Sequence, residues 1–152
     1  MLSGSIGEYC NREVVFATRN ISILEAAQLM RQHHVGDLVV VDETNGKRFP
    51  VGIITDRDIV IEIIAKSVNL NNFCVGDIMS SQLVIVQSNE TIPNTIRIMC
   101  SKGIRRVPVV NLKGELEGIV TADDIITILA EEMSVLAGIP QHEKKKEAEI
   151  RV

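Results

Sequence analysis

The sequence predicts an α+β fold of the α/β type, a β-α-β-β-α unit used twice in tandem. Two observations predict it. The stretch Pro50-Val51-Gly52-Ile53-Ile54-Thr55-Asp56-Arg57-Asp58-Ile59 returns as Leu116-Glu117-Gly118-Ile119-Val120-Thr121-Ala122-Asp123-Asp124-Ile125. The surrounding residues return with it: Gly7 and Gly76 are 69 apart, as are Ser22 and Thr91, Met30 and Met99, Val35 and Ile104, and Val41 and Val110. From Gly52 and Gly118 onward the spacing is 66, because Thr44-Asn45-Gly46-Lys47-Arg48 is answered by a shorter Leu112-Lys113-Gly114 turn. Turns tolerate such length changes, and an internal repeat constrains a fold more than any single motif does.

Each element has its own signal. Val14-Val15-Phe16-Ala17 is a short apolar strand. Ser22 with Glu25 forms a capping box before Leu24, Ala27 and Met30, so a helix starts near Ile23 and ends near His33-His34. Leu38-Val39-Val40-Val41 and Val51-Gly52-Ile53-Ile54 form a hairpin around Asn45-Gly46. Residues 56–66 are rich in β-branched side chains, which favour strand locally. Thr55 and Asp58 make a helix-start signal, and a helix is predicted there, so apolar that more than one face must be covered. Residues 67–74 are a polar linker. The second half repeats the order, with a strand at 83–86, a helix at 92–101 capped by Thr91, strands at 107–110 and 115–120, and a helix at 122–133. Pro108 predicts an edge or strand-start position, since proline has no N–H for a ladder. From Gln141 the chain is charged and reads as a solvated helical tail. The predicted organisation is 6–66 for the first repeat, 67–74 for the linker, 75–133 for the second repeat and 134–152 for the tail.

The 152 residues can bury a core, and with 45% apolar but only 3% aromatic residues that core is aliphatic. A formal charge of −4 without a basic stripe argues against nucleic acid as a partner. No apolar run is long enough to span a membrane, and the first residues lack the pattern of a signal peptide. Cys10, Cys74 and Cys100 follow no metal spacing and cannot all pair, so reduced thiols and a cytoplasmic location are expected.

The candidate chemistry lies in Thr55-x-x-Asp58 and Thr121-x-x-Asp124. Each can be a helix cap and nothing more, since Thr caps and Asp returns a bond to the cap's own N–H. A strand end meeting a helix start also presents free N–H groups that suit phosphate, and a carboxylate there can accept both hydroxyls of a ribose. The duplication kept Gly, Thr and Asp while Asp56-Arg57 became Ala122-Asp123, although Ser, Asn or Glu would cap as well. His33-His34 point to different helix faces and lack a third metal-binding residue at suitable spacing. No nucleophile–base set and no glycine-rich phosphate loop is present.

The chain resembles a pair of CBS domains, the repeat named after cystathionine β-synthase, over nearly all of residues 6–133. The resemblance rests on the duplication, on Gly-h-h-Thr-x-x-Asp (h, apolar) in both halves, and on the strands Val35-Gly36-Asp37-Leu38-Val39-Val40-Val41-Asp42 and Gly103-Ile104-Arg105-Arg106-Val107-Pro108-Val109-Val110. It implies two repeats packed about a pseudo-twofold axis, with two clefts for adenosine-containing ligands such as AMP, ADP, ATP or S-adenosylmethionine. By position, one cleft would combine Thr55 and Asp58 with Met79, Val84, Ile104, Arg105 and Arg106. The other would combine Thr121 and Asp124 with Cys10, Val15, Val35, Gly36 and Asp37. Two guanidiniums suit a phosphate, whereas Asp37 would repel one.

The resemblance implies a regulatory nucleotide-binding module with no catalytic residues, no metal and no cofactor beyond an adenine nucleotide as ligand. An enzyme with a site not apparent from the motifs, or an interaction module without ligand, are the alternatives. A homodimer is expected because Ile59, Ile63, Ile125 and Leu129 leave apolar surface on helices 56–66 and 122–133. The signal would pass to an effector protein that the sequence does not identify.

Overall fold

The computed structural model describes residues 3–151. Two three-stranded sheets carry the fold. In the first, β1 (Phe16–Thr18) runs parallel to β2 (Asp37–Thr44), which pairs antiparallel with β3 (Lys47–Thr55). In the second, β4 (Val86–Gln87), β5 (Arg106–Val110) and β6 (Leu116–Thr121) repeat that order. Between the first two strands of each sheet lies a helix, α2 (Ile23–His33) or α5 (Ile92–Lys102). The α2 helix starts at the expected capping box, with Ser22 Oγ accepting from Glu25 N–H and Glu25 returning a bond to Ser22 N–H. Asn45 and Gly46 both have positive φ, as a two-residue hairpin turn demands. Each sheet has its own aliphatic core, Leu38, Val40 and Ile54 in one and Val107, Val109 and Val120 in the other.

The halves hold each other by exchange of their leading segments. Two single-turn helices absent from the sequence prediction, α1 (Ile6–Tyr9) and α4 (Val75–Ile78), make the exchange. Ile6 N–H donates to the Glu90 carbonyl at 2.7 Å and Gly7 N–H to Ser88 at 2.9 Å; Val75 and Gly76 donate to Ile21 and Arg19 in the same pattern. Asn11 and Ile119 then exchange two backbone bonds, as do Ser80 and Ile53. Ile6 is thus buried in the second core and Val75 in the first. Reciprocal contacts of this kind define a pseudo-twofold axis. They also explain the repeated glycines: a Cβ on Gly52 would meet Met79 Sδ at 2.7 Å and the Ser80 carbonyl at 2.8 Å, and one on Gly118 would meet Cys10 Sγ at 2.6 Å.

Several elements differ from expectation. The strand placed at 14–17 begins at Phe16, and the one placed at 83–86 is only Val86–Gln87. Pro108 lies in the middle strand of its sheet rather than on an edge or at a strand start. In the first repeat Val39 N–H donates to the Val15 carbonyl at 3.3 Å. Pro108 occupies the matching place and has no N–H to give Val84, so β4 stops short of it and the proline is tolerated. The helix placed at 56–66 is a short α3 (Asp56–Ile59) that widens into a π-helix over Val60–Ile64. Its β-branched residues crowd an α-turn, and the bond from Ala65 N–H back to the Val60 carbonyl spans five residues. The linker contains a 3₁₀ turn, Leu70–Asn72. The helix placed at 122–133 is α6 (Ala122–Ala137), longer than expected, and is followed by α7 (Ile139–Ile150). Ile63 and Ile125 are buried, and Ile59 and Leu129 pack against the cores. The exposed apolar surface falls instead on Val60, Ile61, Ile64, Ile126, Met133 and Leu136.

Candidate functional site

Where the repeats meet, a cleft of about 510 Å³ opens between the end of β3 and the segments that precede β4 and β5. Thr55, Val84, Ile104, Arg105 and Arg106 line it together, as the positional expectation has them. Ile53, Asp56, Arg57, Ser80, Gln82, Leu83 and Gly103 line it as well and were not singled out from the sequence. Arg57 and Asp56 are the variable residues inside Thr-x-x-Asp, and that placement is the signal that could have found them. Asp58 and Met79 are not in the lining. Met79 Sδ fills the space over Gly52, and Asp58 is bonded through its carboxylate to the Thr55 N–H.

Thr55 and Asp58 form a complete capping box: Thr55 N–H donates to Asp58 Oδ2 at 2.8 Å and Asp58 N–H to Thr55 Oγ1 at 3.1 Å. Thr121 and Asp124 repeat it at 2.9 and 3.1 Å. The capping role therefore holds in both halves. It engages Asp58 through Oδ2 and leaves Oδ1 without a hydrogen bond among the described residues, so capping and ligand binding need not compete.

The residues expected for the second cleft are spread more widely. Cys10 packs over Gly118, and burial pushes its thiol pKa up, with Arg12 opposing. Val15 lines a separate depression with Leu29 and His33, and Val35 packs on the first core. The Gly36 carbonyl accepts from Asp56 N–H at 2.9 Å, as Arg105 accepts from Ala122.

Arg106 and Asp37, assigned by position to opposite clefts, touch: Arg106 Nη1 lies 3.1 Å from Asp37 Oδ1. They are 69-residue equivalents, so their contact lies on the pseudo-twofold axis. Burial pushes the Asp37 carboxyl pKa up, Arg106 pulls it down and Asp56 raises it further. Arg105 reaches Asp123 at 3.5 Å with both side chains largely exposed, which makes that pair weak.

Comparison with known proteins fits this geometry. The CBS domain model matches residues 6–65 and 75–131. The Methanopyrus kandleri protein MK0525 is 36% identical over 150 residues, covering 99% of this chain and 74% of that protein. The CBS domain-containing protein YhcV of Bacillus subtilis is 33% identical over 121 residues, covering 80% of this chain and 82% of that one. Among solved structures, the CBS domain pair of MJ0100, in complex with 5′-methylthioadenosine and S-adenosylmethionine, superposes with a TM-score of 0.72 at 29% identity, over 84% of this chain and 97% of that one. With a family model matched in both halves and leading segments exchanged about one axis, the chain belongs to the CBS domain family.

Proposed function

We propose that this CBS domain pair binds an adenosine-containing ligand between its repeats and serves as a regulatory sensor of energy or metabolite state, not as a catalyst. The observation that carries this is the two-sided lining of the cleft. Ile53, Leu83, Val84 and Ile104 offer an apolar wall for a flat ring, while Thr55 and the guanidiniums of Arg57, Arg105 and Arg106 offer polar anchors. The ligands found in MJ0100 support an adenosyl group. Three arginines against one lining carboxylate, Asp56, favour a phosphorylated form, AMP, ADP or ATP, over S-adenosylmethionine here. Asp58 is proposed to take the ribose hydroxyls through its unpaired oxygen. The residues around Thr121 and Asp124 are proposed as a second, less anion-friendly cleft.

A thermal-shift series with AMP, ADP, ATP, NADH and S-adenosylmethionine tests this. A ligand at about 100 times its Kd adds roughly 2.7 kcal/mol to the folded state, so the midpoint should rise by several degrees for the phosphorylated nucleotides. Added ATP should be recovered intact. No rise with any of the five compounds would leave an interaction module as the better description.

We also propose a homodimer, joined through the apolar faces of the helices that follow β3 and β6. Val60 (51% exposed), Ile64 (65%), Ile126 (60%) and Met133 (70%) leave there a surface that a second copy would cover. Light scattering at micromolar concentration should give twice the chain mass of 16.8 kDa; a monomer mass refutes the dimer. The effector would be a separate protein, and the proposed site of action is the cytoplasm.

A further inference from the structure

Both members of the Arg105-Arg106 pair meet carboxylates, Arg106 one from across the axis and Arg105 one within its own repeat. Asp37, at the start of β2, holds Arg106; Asp123, between Thr121 and Asp124, holds Arg105. The two bonds differ in setting. Arg105 and Asp123 are 73% and 81% exposed, whereas Arg106 and Asp37 are 32% and 17% exposed, where charge is screened less. Arg106 is only partly satisfied: its Nε is buried with no hydrogen-bond partner among the described residues. Asp37 also faces the like charge of Asp56. The guanidinium that lines the cleft is thus already occupied, by a single carboxylate in an unfavourable setting.

Given the nucleotide binding proposed above, we propose that Asp37 is an internal counter-ion, displaced from Arg106 by a ligand's phosphate when the cleft fills. The freed Asp37 carboxylate makes the Thr121 and Asp124 side of the axis, to which it belongs by position, selective for a cationic nucleoside. A phosphate brings more charge and more acceptor oxygens than one carboxylate, so it wins the exchange where a neutral nucleoside cannot. Removing one partner of a half-buried ion pair leaves the other uncompensated. A cation on the far side relieves that cost. Ligands of opposite charge should therefore assist each other across the axis and ligands of like charge oppose each other, and the coupling must be reciprocal.

Asp37→Asn removes the competing charge and keeps the side chain's shape. In calorimetric titrations, Asp37→Asn should bind ATP about threefold to tenfold tighter than the unsubstituted protein, and adenosine equally well. S-adenosylmethionine should bind ATP-saturated protein at least about fivefold tighter than ATP-free protein, a gain lost in Asp37→Asn. Arg106→Gln approaches the same pair from the other side and should abolish both the ATP preference and the coupling while sparing adenosine. Equal ATP affinity with and without Asp37→Asn, or S-adenosylmethionine binding indifferent to ATP, overturns the exchange and leaves nucleotide binding standing. Failure of the unsubstituted protein to take either ATP or adenosine refutes the binding function and the exchange together.

Discussion

Asp58→Ala should lower ATP affinity by about tenfold to a hundredfold, while Asp124→Ala should leave it nearly unchanged. The two aspartates are matched in local structure. Each closes a capping box with the threonine three residues before it, at 2.8 and 2.9 Å. Loss of a capping bond costs about 1 kcal/mol in either variant, so that effect cancels in the comparison. What remains is the difference in surroundings, for Thr55 opens onto the arginine-lined cleft. Leaving the ribose hydroxyls without their acceptor costs about 1–3 kcal/mol, which sets the expected range. Calorimetric titration of both variants, with thermal melts to record the shared loss of stability, checks it. If Asp124→Ala abolishes ATP binding and Asp58→Ala does not, the assignment of the clefts is reversed.

Gly52→Ala and Gly118→Ala should each lower the thermal midpoint by roughly 3–9 °C, taking about 1–3 kcal/mol for overpacking and about 3 °C per kcal/mol for a chain of this size. The added methyl group would sit 2.8 Å from the Ser80 or Asn11 carbonyl and closer still to Met79 or Cys10 sulfur. The sulfurs can swing aside. The carbonyls cannot, since Ser80 and Asn11 are bonded by backbone to Ile53 and Ile119. Gly46→Ala is the control: nothing lies within 4 Å of its added Cβ, and only the φ of +75° resists the change. A midpoint loss at Gly52 and Gly118 no larger than at Gly46 would show that the exchanged segments are not rigidly held.

Much of this was legible in the sequence because the chain says most things twice. The 69- and 66-residue spacings identified the repeat, and the Ser22, Thr55, Thr91 and Thr121 caps located the starts of α2, α3, α5 and α6. What escaped was non-local. The single turns at Ile6 and Val75 are too short to carry a periodic pattern, and each is stabilised by the opposite repeat. The glycines of the motif pointed to a ligand, whereas in the structure they make room for residues 10–11 and 79–80. In the cleft, the meeting of Thr55 with Arg105 and Arg106 followed from the resemblance to CBS domain pairs. The pairing of Arg106 with Asp37 did not, because equivalent positions face each other only at a symmetry axis, and an alignment does not say where the axis runs.

That contact sets this chain apart from a symmetric pair of identical half-chains. In a symmetric pair of identical half-chains, each would lend its leading turn to the other's core, as Ile6 and Val75 do here. The residue on the axis would then meet its own copy, arginine against arginine or aspartate against aspartate, with like charges forced together. Joining the halves through a linker holds them together at an effective concentration of order millimolar for a short tether, and frees each copy to change alone. Arg106 opposite Asp37 is a contact that a pair of identical halves cannot make. The difference between the two copies thus leaves the centre of symmetry polar, with a cation on one side and an anion on the other.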